Sequence, residues 1–586
     1  MNAATRGPVF GDLQTRLAMR GPTATGFVTQ PEPRSFGSVA RGRQLVAGNY
    51  LFAGHLVEAP GSGIWNLNTP SPRFERELHS FLWLDDLAAL GTPEARETAQ
   101  GWVWAWIARF GAGQRPSWEP DLTGRRLIRL VNHAVLLLHA QAPADSRLLF
   151  DTLGRQCNVL ARRWHRAPPG LARFNALSGL IYAGLSVTGM EGHVPAALAA
   201  LESECETEID AAGGLATRNP EHLMEVFVLL SWVAEALDAA GRFPRPAQRA
   251  AMERIAPTLR ALRHSDGGLA RFHGGSQGIE GRLDQALSAA GIRGRARSEG
   301  LSMGYARLSA GRTTVIADAA PPPTGAASVD AHASTLAFEL TSGRRPVIVN
   351  CGSGVAFGEA WRRVGRETRA HATLTLDAHA SSRIALSALN GGKSAPFGEI
   401  LEAAPRDVRV EAHQDAGGHH LMLGHDGYSA SHGLAHVRKL TLSRDGGVLV
   451  GRDTVGALTD RDRTRFDRKL TETKMQGLGF TLRFHLHPDV DATADMGGRA
   501  VSLGLHSGDV WIFRYDGPGE LALEPSIYLE VGRLKPRGTQ QIVIAARVVD
   551  FTAQIGWTLS RAEDTPRAIR DLAATIGEED ADAVFT

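Results

Sequence analysis

In the first half of the chain, apolar residues recur at a spacing of three to four. Residues 77–90, 98–110 and 125–140 show this pattern clearly, and it predicts helices that bury one face. Glycine- and proline-bearing connections separate the segments, with no strand pattern between them, which indicates packed antiparallel helix pairs. Five further predicted helices cover residues 148–163, 171–187, 194–209, 220–240 and 247–262.

After residue 304 the helical period disappears and alternating patterns replace it. Many short alternating segments with turn signals between them predict an antiparallel β-sandwich. A glycine-rich stretch at 265–300 marks the crossing between the two regions. The predicted strand-like segments are 305–317, 331–340, 345–350, 447–453, 469–486, 500–501, 510–515, 526–531 and 540–547.

The expected fold class is therefore multidomain, with a helical domain followed by a β-sandwich. A chain of 586 residues is too long for one ordinary core. We expect an irregular lead-in at 1–45, rich in Gly, Pro, Arg and Thr, a helical domain at 46–300 and a sandwich at 301–586.

Candidate chemistry concentrates in residues 329–377. Two predicted strands joined at Ser342-Gly343 would bring His332 and Asn350 to one rim, and His371 opens a third strand. These three side chains are candidates for metal ligation or proton transfer. The alternative, that the two histidines are hydrogen-bonded core residues, stays open.

This stretch resembles the C-terminal domain of heparinase II/III-like polysaccharide lyases. In that family a His-x-His element opens a strand, an Asp ends the next, and a third His begins another. The first His is catalytic and the other three residues hold zinc. Here the four positions are Asp330, His332, Asn350 and His371. The resemblance implies a zinc site at the last three and an incomplete (α/α) toroid for the helical domain.

The resemblance extends along most of the chain. In the helical half, Leu171-Ala172 stands where the family has Asn-His, and His222 stands near the position of a catalytic Tyr. Residues 424–442, 483–490 and 527–544 also match. It implies a lyase that cleaves a uronic-acid-containing polysaccharide or oligosaccharide by β-elimination. The alternative is a non-catalytic glycan-binding or assembly protein on the same scaffold.

Eliminative cleavage needs a group that neutralises the uronate carboxylate, a base and an acid. Arg218 and Asn219 are candidates for holding the carboxylate, and His222 for moving the proton, with His332 facing them. Tyr428 is a candidate for substrate contact. Asn219 before Pro220 also has the signature of a helix N-cap, and that interpretation stays open.

Net charge, cysteine count and the first residues bear on the expected binding partners and the cellular compartment. A net charge of +2 gives no electrostatic reason to expect nucleic acid or a membrane as partner, and an acidic polysaccharide or oligosaccharide remains the expected one. A homodimer is left open. Three widely spaced cysteines predict reduced, buried thiols. The first residues lack an apolar segment of signal-peptide length, which predicts a cytoplasmic protein, whereas the resemblance favours the periplasm.

Overall fold

The computed structural model describes residues 7–29, 35–292, 300–377, 379–386, 399–495 and 497–562. Its first half is helical, apart from a small hairpin of β1 (Asn49–Phe52) and β2 (His55–Glu58). The helices of this region are α1 (Gly7–Ala18), α2 (Val39–Val46), α3 (Pro72–Ser80), α4 (Trp83–Leu90), α5 (Pro93–Phe110), α6 (Pro120–Asn132), α7 (Ala134–Leu138), α8 (Pro143–Arg163), α9 (Leu171–Ser186), α10 (Val194–Thr207), α11 (Pro220–Ala239), α12 (Pro246–Ala261) and α13 (Arg282–Ala289).

Local sequence explains several helix starts. Ser71, Thr92 and Asn219 each accept a backbone N–H at the start of α3, α5 and α11, and a proline follows each cap in the first turn. A side-chain oxygen that accepts these N–H groups satisfies donors that the helix itself cannot satisfy. The capped starts fix where each helix begins.

Helix α9 lies at the centre of the helical region, and its residues from Phe174 onward are buried. It crosses α6 closely at Gly179 and Gly124. A Cβ atom on Gly179 would lie 2.4 Å from the carbonyl oxygen of Gly124, so only glycine permits this approach.

Within the described ranges, the second half is a β-sandwich with three helices, α14 (Glu359–Arg366), α15 (Ser429–His432) and α16 (Asp460–Glu472). All of its strand pairings are antiparallel in the part of the chain described. The strands are β3 (Tyr305–Ala310), β4 (Thr313–Asp318), β5 (Phe338–Ser342), β6 (Arg345–Val349), β7 (Leu374–Leu376), β8 (Arg383–Leu386), β9 (Glu399–Ala403), β10 (Val408–Asp415), β11 (Gly418–Tyr428), β12 (Leu434–Leu442), β13 (Val448–Gly456), β14 (Leu478–Leu486), β15 (Val490–Asp495), β16 (Ala500–Leu505), β17 (Val510–Asp516), β18 (Glu520–Tyr528), β19 (Arg537–Val548) and β20 (Thr552–Arg561).

Two large sheets face each other. The first has the order β18-β19-β14-β6-β5-β4-β3, with β7 also paired to β14, and the second has the order β10-β11-β12-β13-β20-β17-β16-β15. Strands β8 and β9 form a separate hairpin. Between the sheets, Phe338 stacks on Trp557 with ring centroids 5.7 Å apart.

The first sheet also packs against the helical region. Tyr305, Ile316 and Ala337 belong to the same buried apolar cluster as the helices. One face of the sheet therefore fills the sandwich core and part of the other face is covered by the helical domain. The junction between the domains is a packed interface.

The sequence-based assignments hold for the main helices and need correction elsewhere. The lead-in predicted to be irregular contains α1 and most of α2. The segment 305–317 is a hairpin of two strands, and 469–486 begins with the end of α16. The strand predicted from residue 331 starts only at Phe338. The N–H groups of His332 and Ala333 donate to His273 and to Arg366 of α14, and contact with the neighbouring strand β4 begins at Leu336.

Candidate functional site

The candidate site lies where the helical domain meets the loop that precedes β5. This loop carries Asp330 and His332. Its backbone is fixed on one side by the N–H of Ala333, which donates to the carbonyl of Arg366. On the other side the N–H of His332 donates to Nδ1 of His273. The loop thus takes its shape from α14 and from the 271–276 segment of the helical domain.

His332 and His371 contact each other, as their predicted convergence requires. Nδ1 of His332 lies 3.0 Å from Nε2 of His371. Nδ1 of His371 lies 2.8 Å from the carbonyl oxygen of Glu367, and the N–H of Gly274 donates to Nε2 of His332 over 2.9 Å. The third predicted member, Asn350, makes no hydrogen bond to either histidine.

These contacts determine a single tautomer for each ring. A carbonyl oxygen only accepts, so the proton of His371 is on Nδ1, and Nε2 accepts the proton on Nδ1 of His332. Nε2 of His332 then accepts from Gly274. Both rings are neutral in this chain, and burial lowers both pKa values, to about 4 for His371.

The residues present do not fit the zinc that the resemblance implies. The two histidines supply at most two nitrogen ligands, and the third position carries the amide of Asn350 where the family has a carboxylate. Oδ1 of Asn350 accepts the N–H of Ala372, and its Nδ2 is buried without a hydrogen-bond partner. An amide nitrogen is not a zinc ligand.

Asp330, at the position of the family's catalytic histidine, is held between arginines. Nε of Arg362 lies 2.7 Å from Oδ1 of Asp330, and a guanidinium nitrogen of Arg73 lies 3.3 Å from the same oxygen. Burial acts to raise the pKa of Asp330, but the two arginines outweigh it and the pKa is lowered. An ionised carboxylate accepts hydrogen bonds and donates none.

His222 lies beside Asp330, in the first turn of α11, and is half-buried. Burial lowers its pKa, with Arg125 acting in the same direction and Asp330 against it. Asn219 is the N-cap of α11: its Oδ1 accepts the N–H groups of Glu221 and His222. The N-cap interpretation of Asn219 is thus confirmed, and that oxygen is fully used.

Arg218 holds the two domains together. It is buried, and its guanidinium donates to the carbonyls of four residues and to Asp318 at 2.6 Å. All of its N–H groups therefore have protein acceptors, which leaves none for a substrate carboxylate. The four carbonyls belong to Met303, Gly304, Ala320 and Pro321.

The tyrosines are also engaged within the protein. The hydroxyl of Tyr428 donates to the carbonyl of Leu374, and its ring is fully buried, so it is not accessible to a substrate. All six tyrosines of the sequence lie in the described ranges. Each has a hydroxyl hydrogen bond to another group of the protein: Tyr50, Tyr182, Tyr305, Tyr428, Tyr515 and Tyr528.

The Asn132-His133 pair lies in the helical core. Oδ1 of Asn132 accepts from the hydroxyl of Tyr182 at 2.6 Å, and Nε2 of His133 lies 2.8 Å from Asp85. Both side chains are buried and satisfied by these contacts, which agrees with a structural role.

Several residues of the site escaped sequence reasoning. Arg73, Glu359 and Arg362 surround Asp330, and His273 supports the backbone of His332. In the local sequence, only the paired arginines of the EAWRRVGR segment indicated that charged side chains gather near Asp330. Such pairs are usually solvated, whereas Arg362 is buried here.

Comparison with known proteins adds two kinds of similarity. A family model described as heparinase II/III-like, C-terminal, matches residues 292–558. A protein of Caulobacter vibrioides (strain NA1000 / CB15N) named FtsZ-localized protein C is 31% identical over 565 residues, which is 94% of this chain and 93% of that protein.

Solved structures resemble the whole chain. A crystal structure of heparinase III matches with a TM-score of 0.66 and 13% identity, over 94% of this chain and 89% of that one. A mutant of heparan sulfate lyase HepC from Pedobacter heparinus matches with a TM-score of 0.57 and 14% identity, over 95% and 88%. At this identity the similarity establishes the fold, and the predicted toroid followed by a β-sandwich is confirmed.

Proposed function

The chain belongs to the heparinase II/III-like family, and from that premise we propose that it is a non-catalytic member, an assembly protein that acts at FtsZ structures. The relative from Caulobacter is named for its localisation with FtsZ, and the match spans nearly all of both chains. A match of this extent supports a shared role better than a similarity of fold alone does.

The replacement at position 330 carries this proposal. Asp330 stands where the resemblance places a catalytic histidine, and Arg73 and Arg362 hold it as a carboxylate. A carboxylate with a lowered pKa is a weak base and has no proton to give. The side chain that the family uses for proton transfer has become part of an ion-pair cluster.

Tyrosine chemistry is unsupported for a similar reason. Each tyrosine hydroxyl is hydrogen-bonded within the protein, as described above. Burial also raises the pKa values of Tyr305 and Tyr428 well above the usual value of a tyrosine. These two groups therefore do not ionise near neutral pH.

Two arginines of the candidate site are already paired with carboxylates. Arg73 pairs with Asp330 and Glu359, and Arg362 pairs with the same two carboxylates. Arginines already neutralised by carboxylates bind an added polyanion poorly, because the ligand must compete with the internal pair.

Two assays on the full chain test the proposal together. In a pelleting assay with purified FtsZ, we expect the protein to sediment with GTP-assembled filaments and to stay in solution with FtsZ kept unassembled in GDP. On a panel of uronate polymers, we expect no rise in the ultraviolet absorbance of an unsaturated uronate. Failure to sediment with filaments would remove the assembly role, and a sustained rise in absorbance would remove the non-catalytic one.

The second candidate is a lyase that uses His222. Its support is the imidazole of His222, whose pKa is lowered by burial and which lies beside Asp330 and near Arg125. If the wild type cleaves a polymer, His222→Ala should lower turnover by about 10²–10⁴, the usual loss for a general acid or base. Asn219→Ala is the companion variant: loss of the cap should cost about 1 kcal/mol of stability, so turnover is compared well below the unfolding temperature. Full activity of His222→Ala would place the chemistry elsewhere.

A further inference from the structure

A second group of histidines lies on the β10–β11 hairpin, away from the candidate site around Asp330 and His332. His413 and His420 face each other as directly paired residues of the two strands, and Asp415 follows His413 by two positions on β10. Residues two apart on a strand point to the same side. One potential ligand atom from each of the three lies within 4.8 Å of the other two.

The hairpin already orients these groups. The rings of His413 and His420 are stacked, with centroids 4.6 Å apart and planes inclined by 11°. Nε2 of His420 lies 2.8 Å from Oδ1 of Asp415, and the N–H of Gly417 donates to the same oxygen at 2.7 Å. The turn therefore holds the carboxylate against the histidine.

The neighbouring strand supplies a partner for the other nitrogen of His420. Nδ1 lies 3.1 Å from Oγ1 of Thr441, on β12. A neutral His420 therefore donates its Nε2–H to the carboxylate and accepts from the Thr441 hydroxyl at Nδ1. A metal ion would replace the proton on Nε2, and the Thr441 hydroxyl would then accept from Nδ1–H. Protein metal sites commonly orient a histidine ligand through its second nitrogen in this way.

We propose that His413, Asp415 and His420 bind a divalent transition-metal ion such as Zn²⁺. Two imidazoles and one carboxylate match the donors that such ions prefer, whereas Ca²⁺ and Mg²⁺ prefer oxygen alone. Ligand atoms around tetrahedral zinc lie about 3.3 Å apart, as follows from bonds of about 2.0 Å. Imidazole lone pairs lie in the ring plane, so the His413 ring must turn out of its stack on His420 to share an ion with it, and His413 is exposed.

The location suggests what the ion does. Strand β10 is the edge of its sheet, paired only with β11 in the order of strands. An edge strand exposes unpaired backbone groups and is the least restrained part of a sheet. A metal bound across β10 and β11 would join the two strands beside their turn, and solvent or a partner group would complete its coordination.

The test measures zinc binding to the full chain in competition with a chromophoric chelator. We expect one equivalent of Zn²⁺ at pH 7.5, with at least a tenfold loss of affinity in His413→Ala and in Asp415→Asn. His419→Ala is the matched control, because His419 is adjacent to His420 but points to the opposite side of the strand, and it should bind as the wild type does. Circular dichroism confirms that each variant is folded.

A cobalt titration gives an independent reading. Co²⁺ bound to two imidazoles and a carboxylate should show a visible absorption band that His413→Ala lacks. Wild-type protein that takes up neither ion would overturn the proposal. So would zinc binding that His413→Ala leaves intact and His371→Gln abolishes, since the ion would then lie at His332 and His371.

Discussion

Replacement of Arg218 by methionine tests whether this residue joins the domains. The substitution keeps much of the aliphatic stem and removes the charge. Asp318, fully buried, then loses its 2.6 Å ion pair, and four backbone carbonyls lose their donors. Breaking a buried pair by removing one partner costs about 3–5 kcal/mol, because a buried charge is left uncompensated. We expect a loss of that size in the free energy of unfolding.

The loss of stability in Arg218→Met should also depend on pH. Burial acts to raise the pKa of Asp318, but Arg218 and His273 outweigh it and hold the pKa well below its usual range. A lowered folded pKa contributes stability above the unfolded value, and this stability is lost as pH falls. In Arg218→Met the pKa of Asp318 rises, so mild acid protonates it. The difference from wild type should therefore be smaller at pH 5 than at pH 7.

The assay is urea unfolding followed by tryptophan fluorescence and circular dichroism. Arg249→Met is the matched control, because the Arg249 side chain is 76% exposed and pairs with Glu253 on the surface of α12. Such a pair is worth about 0.3–0.5 kcal/mol. If Arg218→Met loses no more stability than Arg249→Met, the residue does not hold the domains together, and its role as a substrate ligand becomes the better interpretation.

Three further predictions concern single side chains. The folded pKa of His371 is about 4 against an ordinary 6.5, so the unfolded state binds a proton first as pH falls. This histidine should therefore lower the free energy of unfolding by about 2 kcal/mol between pH 7 and pH 5. His371→Gln, which keeps a donor and an acceptor, should flatten that pH dependence in urea titrations. A Cβ atom on Gly451 would lie 2.0 Å from the ring of Trp557, so Gly451→Ala should lower the free energy of unfolding by about 1–3 kcal/mol through overpacking. An unchanged unfolding midpoint in urea would show that the ring moves freely. Burial raises the pKa of the Cys157, Cys205 and Cys351 thiols to about 12. A thiol reagent should therefore label none of them until the protein unfolds, and rapid labelling of the native protein would contradict their burial.

The sequence alone determined the order and type of the main elements. Periodicity is a local property, so the change from helical to alternating patterns near residue 300 matches the end of α13 and the start of β3. The Asn219-Pro220 signature identified a helix start for the same reason, because a cap acts on the next few N–H groups. Strand ends were predicted less accurately: residues 331–335 alternate like a strand, but the N–H of Ala333 donates to Arg366 of α14.

Only the tertiary structure decided what the candidate residues do. Asp330 is paired with Arg73, which lies 257 positions away in sequence, and Arg218 is paired with Asp318, 100 positions away. The protonation of His332 follows from its contacts with Gly274 and His371, which no local pattern records. The role of an ionisable side chain depends on burial and on charges that the fold brings near it. Sequence could therefore supply the candidates, while packing between distant segments determined which were satisfied inside the protein and which stayed available for function.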